Sequence, residues 1–241
     1  MPVISLGLGL WQIQRLKWKT DLIAEYESRL VLPPLPMPPL VNPDVVKDFQ
    51  YRRVTATGKF RHDLEMLIGP RSLEGEDGYQ VVTPLERENG STLLVNRGWI
   101  AKKVAEKTKR IEGLPLDEVT VEGILRIPAG RHTFSPDNEV DKGLFFYVDL
   151  DQMAAKSGAQ PVMIEQFFEY ADSDVLASWQ ELVRLGIPIG RDMKVNIRNN
   201  HGQYIVTWFG VSLVTAIMLV VLRRRPASEG MLKQRHMRRY M

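Results

Sequence analysis

The chain has 241 residues, a quarter of them charged, and a formal net charge of +3. That length can bury one sizeable core, and the charge is too nearly neutral to suggest a nucleic-acid partner. Cysteine is absent, which excludes disulfides, thiolate metal sites and cysteine nucleophiles.

The start, "MPVISLGLGLWQIQRLKWK", is an apolar stretch of about ten residues closed by Trp11, Arg15, Lys17 and Lys19. At roughly 15 Å as a helix it is too short to span a bilayer. Nor does a basic region precede it, as in a signal peptide. Two readings stand. Residues 1–12 are the remnant of a first transmembrane helix whose beginning lies outside this sequence, or they form a short amphipathic start on a membrane surface. Either way Gln12, Arg15 and Trp18 fall near that surface, either as anchors or against His201. Leu16, Leu22, Ile23, Tyr26 and Leu30 keep a helical period, so a helical extension is expected over 13–30. In residues 31–43, prolines at 33, 34, 36, 38, 39 and 43 suit neither a helix nor a sheet centre and predict an extended linker.

Residues 44–200 change to a strand pattern. "YRRVTATGKF" alternates, with "LEMLIGP" as its expected return partner; "GYQVVTPL" and "STLLVNRGW" predict the next hairpin across "ERENG". "AKKVAEKTKRIEGLP" reads as a charged helix or loop, and "DEVTVEGILRI" as a strand. "FFYVD" and "VMIEQFFEY" flank a short helix at 150–158, and "DSDVLASWQELVRL" predicts another helix. Strand pairs followed by segregated helices imply an α+β domain on an antiparallel, barrel-like sheet. Within it, Gly78 and Tyr79 enter a strand from a turn, the glycine supplying a positive φ and the tyrosine an anchored ring. "NRGWI" places Arg97, Gly98 and Trp99 at a strand end, as a bend stapled by a buried tryptophan. The other lysines and arginines read as solvated, and His62, His132 and His236 as loop or tail residues. No H-E-x-x-H, P-loop or G-x-S-x-G arrangement occurs, so nothing points to hydrolase or nucleotide chemistry and no enzyme is expected.

From Tyr204 to Leu222 there are nineteen residues without a charge or a proline. As a helix they extend roughly 28 Å, about the thickness of a hydrocarbon core. A transmembrane helix is expected over 203–222. The tail, 223–241, holds seven Lys/Arg against one acid, Glu229. That tail should lie on the cytoplasmic or matrix-like side, with the domain opposite. His201 stands at the start of this helix. Tyr204, Trp208, Ser212 and Thr215 follow on one face with Ile205 beside them, and Gly202 leaves room next to the histidine. Haem iron takes a neutral imidazole at an apolar slot, yet a lone histidine at a helix start also serves as an interface residue. An aromatic helix face, equally, packs on another helix. The residues alone leave these readings open.

In order, "GLWQIQRLKWK", "YRRVTATGKF", "EDGYQVVTPL", "LLVNRGWI" and "HGQYIVTWFGVSLVTA" resemble the surfeit-locus (Surf/Shy) family of cytochrome c oxidase assembly proteins, over most of residues 7–222. The proline linker and basic tail resemble a fungal, Shy-type member. The resemblance implies a mitochondrial inner-membrane protein with two helices, a domain in the intermembrane space and both termini in the matrix. Its implied role is maturation of catalytic subunit 1 of cytochrome c oxidase, around haem a insertion. The implied partners are that subunit, other oxidase assembly factors and inner-membrane lipid. It makes His201 the haem-iron ligand, with Gly202, Tyr204 and Trp208 around it. Arg97, Gly98 and Trp99 would mainly hold the domain. The alternative is a membrane-anchored scaffold that holds the immature subunit and never touches haem.

Overall fold

The computed structural model describes residues 1–168 and 175–224, which divide into two compact units. One comprises residues 25–195; the other joins residues 1–24 to the segment from Asn196 onward. Most of the basic tail lies outside the described residues.

The larger unit is built on one eight-stranded sheet. Its strands are β1 (Leu35–Pro36), β2 (Arg53–Phe60), β3 (Met66–Leu73), β4 (Glu76–Glu86), β5 (Thr92–Ala101), β6 (Val119–Leu125), β7 (Leu144–Phe145) and β8 (Met163–Gln166). Their order is β1-β2-β6-β8-β5-β4-β3-β7, and β2 pairs additionally with β4. The pairings β2–β6–β8–β5–β4–β2 therefore close a circuit. Two helices accompany the sheet, α2 (Leu150–Ser157) and α3 (Val175–Leu185).

The burial pattern follows from the sequence. In β2, Val54, Ala56 and Phe60 point inward at period two. They meet Leu93, Val95, Val121 and Ile164 in one core cluster. In β5, Leu93, Leu94 and Val95 are all sealed. Leu94 belongs to a second cluster with Met66, Phe145 and Met153 of α2. A run buried on both faces marks the most interior strand. Asp149 starts α2 by accepting from the Gln152 amide at 3.0 Å, and Gly158 ends it in the left-handed region.

Three sequence expectations change. The sheet is mixed rather than antiparallel, because β1–β2, β5–β8 and β3–β7 run parallel. "LEMLIGP" does not return on "YRRVTATGKF": β3 pairs with β4, while β2 pairs with β6 and β4. The short turn at His62–Leu64 carries the chain past its neighbour, and local alternation carries no information about that choice. The proline stretch, expected as a linker, is a strap on the sheet edge. Its β1 lies along Val54 and Thr55, and the Met37 amide donates to Thr55 O at 2.9 Å. Prolines have no amide proton to give, so the strap is fastened through its carbonyls as well as the Met37 and Val41 amides. Arg87 donates to Met37 O at 2.9 Å and to Pro39 O at 2.8 Å. The charged stretch after β5 resolves into three short 3-10 turns at 102–104, 107–109 and 111–113.

In the smaller unit, α1 contributes its first turns; the whole helix runs Pro2–Val31, and its last turns belong to the sheet unit, where Leu30 is buried and Tyr26 stacks on Tyr51. The expected extension is thus continuous with the amino-terminal helix. The partner of α1 here is α4 (His201–Arg224). Among the described residues, α4 is the one helix long and apolar enough to cross a membrane.

Candidate functional site

The two helices of the smaller unit run antiparallel. The Ser212 hydroxyl donates to Pro2 O at 2.8 Å, the Phe209 ring lies over Gly9, Gln12 meets His201, and the Lys19 ammonium reaches Arg198 O. A Cβ on Gly9 would stand 3.0 Å from the Phe209 ring. Ser5, Gly9 and Gln12 are the buried residues of this part of α1. Val3, Ile4, Leu6, Leu10 and Ile13 face outward. On α4, His201, Ile205, Trp208, Phe209 and Ser212 are half-buried, while Val206, Leu213, Val214 and Ile217 are exposed. On α1 the seam is small and polar, on α4 it carries Trp208 and Phe209 with His201, Ile205 and Ser212, and aliphatic residues line the outside of both helices. Water-soluble helix pairs show the reverse; helices packing in lipid show this pattern.

His201 sits at the end of that seam. Its Nδ1 lies 2.6 Å from the Gln12 side-chain oxygen, and Gln12 is itself buried. An amide oxygen only accepts, so Nδ1 carries a proton in this contact, and Nε2 has no hydrogen-bond partner among the described residues. The Trp11 indole stands edge-on to the imidazole, with ring centroids 6.5 Å apart and planes at 90°. A histidine fixed through one nitrogen and open at the other is how metal-ligating imidazoles are held. Among the described residues no group of three or more His, Asp or Glu side chains gathers elsewhere as a metal site.

The other expected residues fall as follows. Trp208 lies on the seam. Tyr204 is 52% exposed and turned away from it, and Gly202 has open space around it. The α1-facing stripe is thus rotated from the Tyr204 face read off the sequence towards Ile205 and Phe209. Arg15 stacks on Trp18 at 4.1 Å, and that indole is about half exposed. Trp11 and Phe209 were not foreseen as contacts. The small-residue spacing of Ser5 and Gly9 is the signal that would have found the seam.

Within the sheet unit, "NRGW" lies inside β5 rather than at its end, at a bulge. Val81 pairs with Gly98 and Val82 with Asn96, leaving Arg97 as the extra residue. Gly98 has φ +115, and a Cβ there would fall 1.9 Å from Ile189 O. Trp99 donates from its indole to Arg71 O at 2.9 Å. Gly78 is not a positive-φ turn residue: it sits in β4 because a Cβ would strike Ile100 O at 2.1 Å and the Trp99 indole at 2.5 Å. Tyr79, partly buried, packs in the cluster around Trp99.

The bulge turns Arg97 into the protein. Its guanidinium lies over the Phe60 ring at 4.5 Å and donates to Gly113 O at 2.8 Å. Arg110 and Glu65 form a fully sealed ion pair close by. Burial pushes Arg97 down to about 10, with Glu65 opposing and Arg110 reinforcing the shift. These two arginines contradict the reading of the domain's cations as solvated. His62 is held below its ordinary value, first by burial and further by Arg97 and Arg110, although its Nε2 lies 2.8 Å from Pro115 O.

With both units described, comparison with known proteins is decisive. A family model described as the SURF1 family matches residues 1–213. The chain belongs to the SURF1 family. Among relatives, the "Cytochrome oxidase assembly protein SHY1" of Saccharomyces cerevisiae is 30% identical, with all of this chain and 80% of the yeast protein covered. "Surfeit locus protein 1" of Rattus norvegicus is 36% identical over 90% of this chain and 72% of its own length. The Homo sapiens protein of the same name is 37% identical over 90% and 73%. The SURF1 match takes in all of α1, the whole sheet and α4 as far as Leu213.

Proposed function

We propose that this protein is a non-catalytic, membrane-anchored assembly factor for mitochondrial cytochrome c oxidase, acting on catalytic subunit 1 and handling haem a through His201. The names borne by its relatives support the assembly role. The inside-out packing of α1 on α4 supports a pair of helices in the inner membrane, with the sheet domain in the intermembrane space and the basic tail in the matrix.

The observation that carries the haem reading is the Gln12–His201 contact. Gln12 holds the proton on Nδ1 and fixes the ring, so Nε2 is presented as a ligand nitrogen. The residues present would hold the haem iron through one imidazole nitrogen, with an aromatic edge from Trp11 and no Cβ at Gly202 beside it. Haem a, when bound, supplies only its iron's affinity for that nitrogen, since the factor's task is delivery. The exposed aliphatic face of α4 and the Tyr204 ring lie on the same helix, available to subunit 1 or lipid.

The test is the reduced absorption spectrum of the protein purified from cells that make haem a, beside His201→Ala and Gln12→Leu. A haem a band lost in the first variant and weakened about 10–100-fold in occupancy in the second is expected. A haem-free protein that still co-purifies subunit 1 would leave the scaffold reading in its place.

A further inference from the structure

Against the sheet unit lies a cavity of about 450 Å³, lined among others by Arg53, Arg97, Glu122, Gln166, Ile187 and Met193. Such a volume is typical of small-molecule sites. Among the described residues that line it, two arginines stand against one glutamate. Arg53 is matched, gripping Glu122 through Nε at 2.7 Å and Nη2 at 2.5 Å. Both Glu65 oxygens are taken by Arg110. Arg97 is 7% exposed and has no ion-pair partner among the described residues. A buried guanidinium without a counter-charge is costly, and an incoming anion relieves that cost.

The geometry narrows the anion. Phe60 covers a face of the Arg97 guanidinium, and Nη1 is spent on Gly113 O. What remains is the Nε–Nη2 edge, which makes no hydrogen bond among the described residues. That edge is a two-pronged fork matched to a carboxylate. Arg61 uses the same edge on Asp63, at 3.0 and 2.8 Å. A dianionic phosphate fits less well, because Glu122 also lines the cavity and would repel it. Leu182, Ile187 and Met193 supply an apolar wall.

We propose that this cavity binds a small amphipathic monocarboxylate, its carboxylate held by the free edge of Arg97 and its apolar body against Ile187 and Met193. This site is independent of His201 and of the haem reading.

The test uses the full chain in detergent, labelled at methionine and isoleucine methyls, titrated with mandelate and separately with mandelamide. Mandelate is expected to shift the Met193 and Ile187 methyl resonances saturably in the millimolar range. The neutral amide should bind about tenfold or more weakly, the factor a charge-assisted hydrogen bond provides. Arg97→Gln should erase that preference. Because this variant also loses the bond to Gly113 and can misfold, Met193→Trp is the second arm. Met193 is 51% exposed, so the replacement is tolerated by the fold while filling the cavity mouth, and the remaining Ile187 methyl should then respond to neither compound. Equal binding of amide and acid, or no saturable shift with mandelate, overturns the proposal.

Discussion

Replacing Glu65 by glutamine tests the buried charge cluster directly. Glu65 and Arg110 are 1% and 0% exposed at their side chains. The glutamate accepts from both terminal nitrogens of Arg110, one of them at 3.2 Å. The Arg110 Nε is sealed and unpartnered, so Glu65 is the arginine's counter-ion. Removing the negative charge leaves Arg110 and Arg97 as two buried cations with no paired anion among the described residues. Breaking a buried pair in this way costs about 3–5 kcal/mol, because the surviving charge stays desolvated. Domain stabilities lie at about 5–15 kcal/mol, so the variant should be marginal. Removing both charges, as Glu65→Leu with Arg110→Met, deletes the desolvation penalty along with the attraction and should restore all but about 1 kcal/mol. Urea unfolding of the full chain would be followed by near-ultraviolet circular dichroism of the stacked Trp99–Trp179 pair, whose ring centroids are 6.5 Å apart. A single variant within about 1 kcal/mol of the wild type would refute the reasoning, as would a double variant no better than the single one.

Acid stability should carry the mark of His62, whose value is lowered in the folded protein from an ordinary 6.5. The unfolded chain then takes up its proton first. Stability therefore falls as the pH drops from about 6.5 towards the lowered folded value, and is unaffected by this group above that range. His62→Gln should flatten this segment of a stability–pH curve measured by urea unfolding; an unchanged slope counts against a buried neutral imidazole. Gly98→Ala should destabilise by at least about 2 kcal/mol, since it adds strain at a positive φ to a collision with Ile189 O. An unfolding midpoint equal to wild type would remove the bulge from its proposed place in the fold. The absence of native cysteine allows a clean crosslinking test of the helix pair. Gly9→Cys with Phe209→Cys should be joined by a short bismaleimide in membranes, whereas Gly9→Cys with Val220→Cys should not, and equal yields would contradict the antiparallel seam.

What the sequence revealed and what it hid divide along a physical line. Period-two alternation marked β2 and β6, and an uncharged run marked α4, because each signal is local and one element long. The partner of β2 was invisible. Alternation states which face is buried but not which strand lies alongside, so the crossover to β6 needed three-dimensional pairing. Gly78 was misread for a related reason. A glycine before a strand is compatible with a turn, but here the excluded atom belongs to Trp99, twenty-one residues away in sequence. Arg97 and Arg110 read as surface cations because composition cannot distinguish a guanidinium in water from one turned inward by a bulge. The histidine differs again. Its position at the head of α4 was legible, yet its tautomer was not, since that depends on Gln12 at the other end of the chain. If Gln12 were an alkyl residue, Nδ1 would lose its acceptor and either nitrogen could carry the proton, so the ligand nitrogen would no longer be defined. The chemical character of His201 is thus set by a contact between helices, and a change at Gln12 should alter it while the sequence of α4 remains intact.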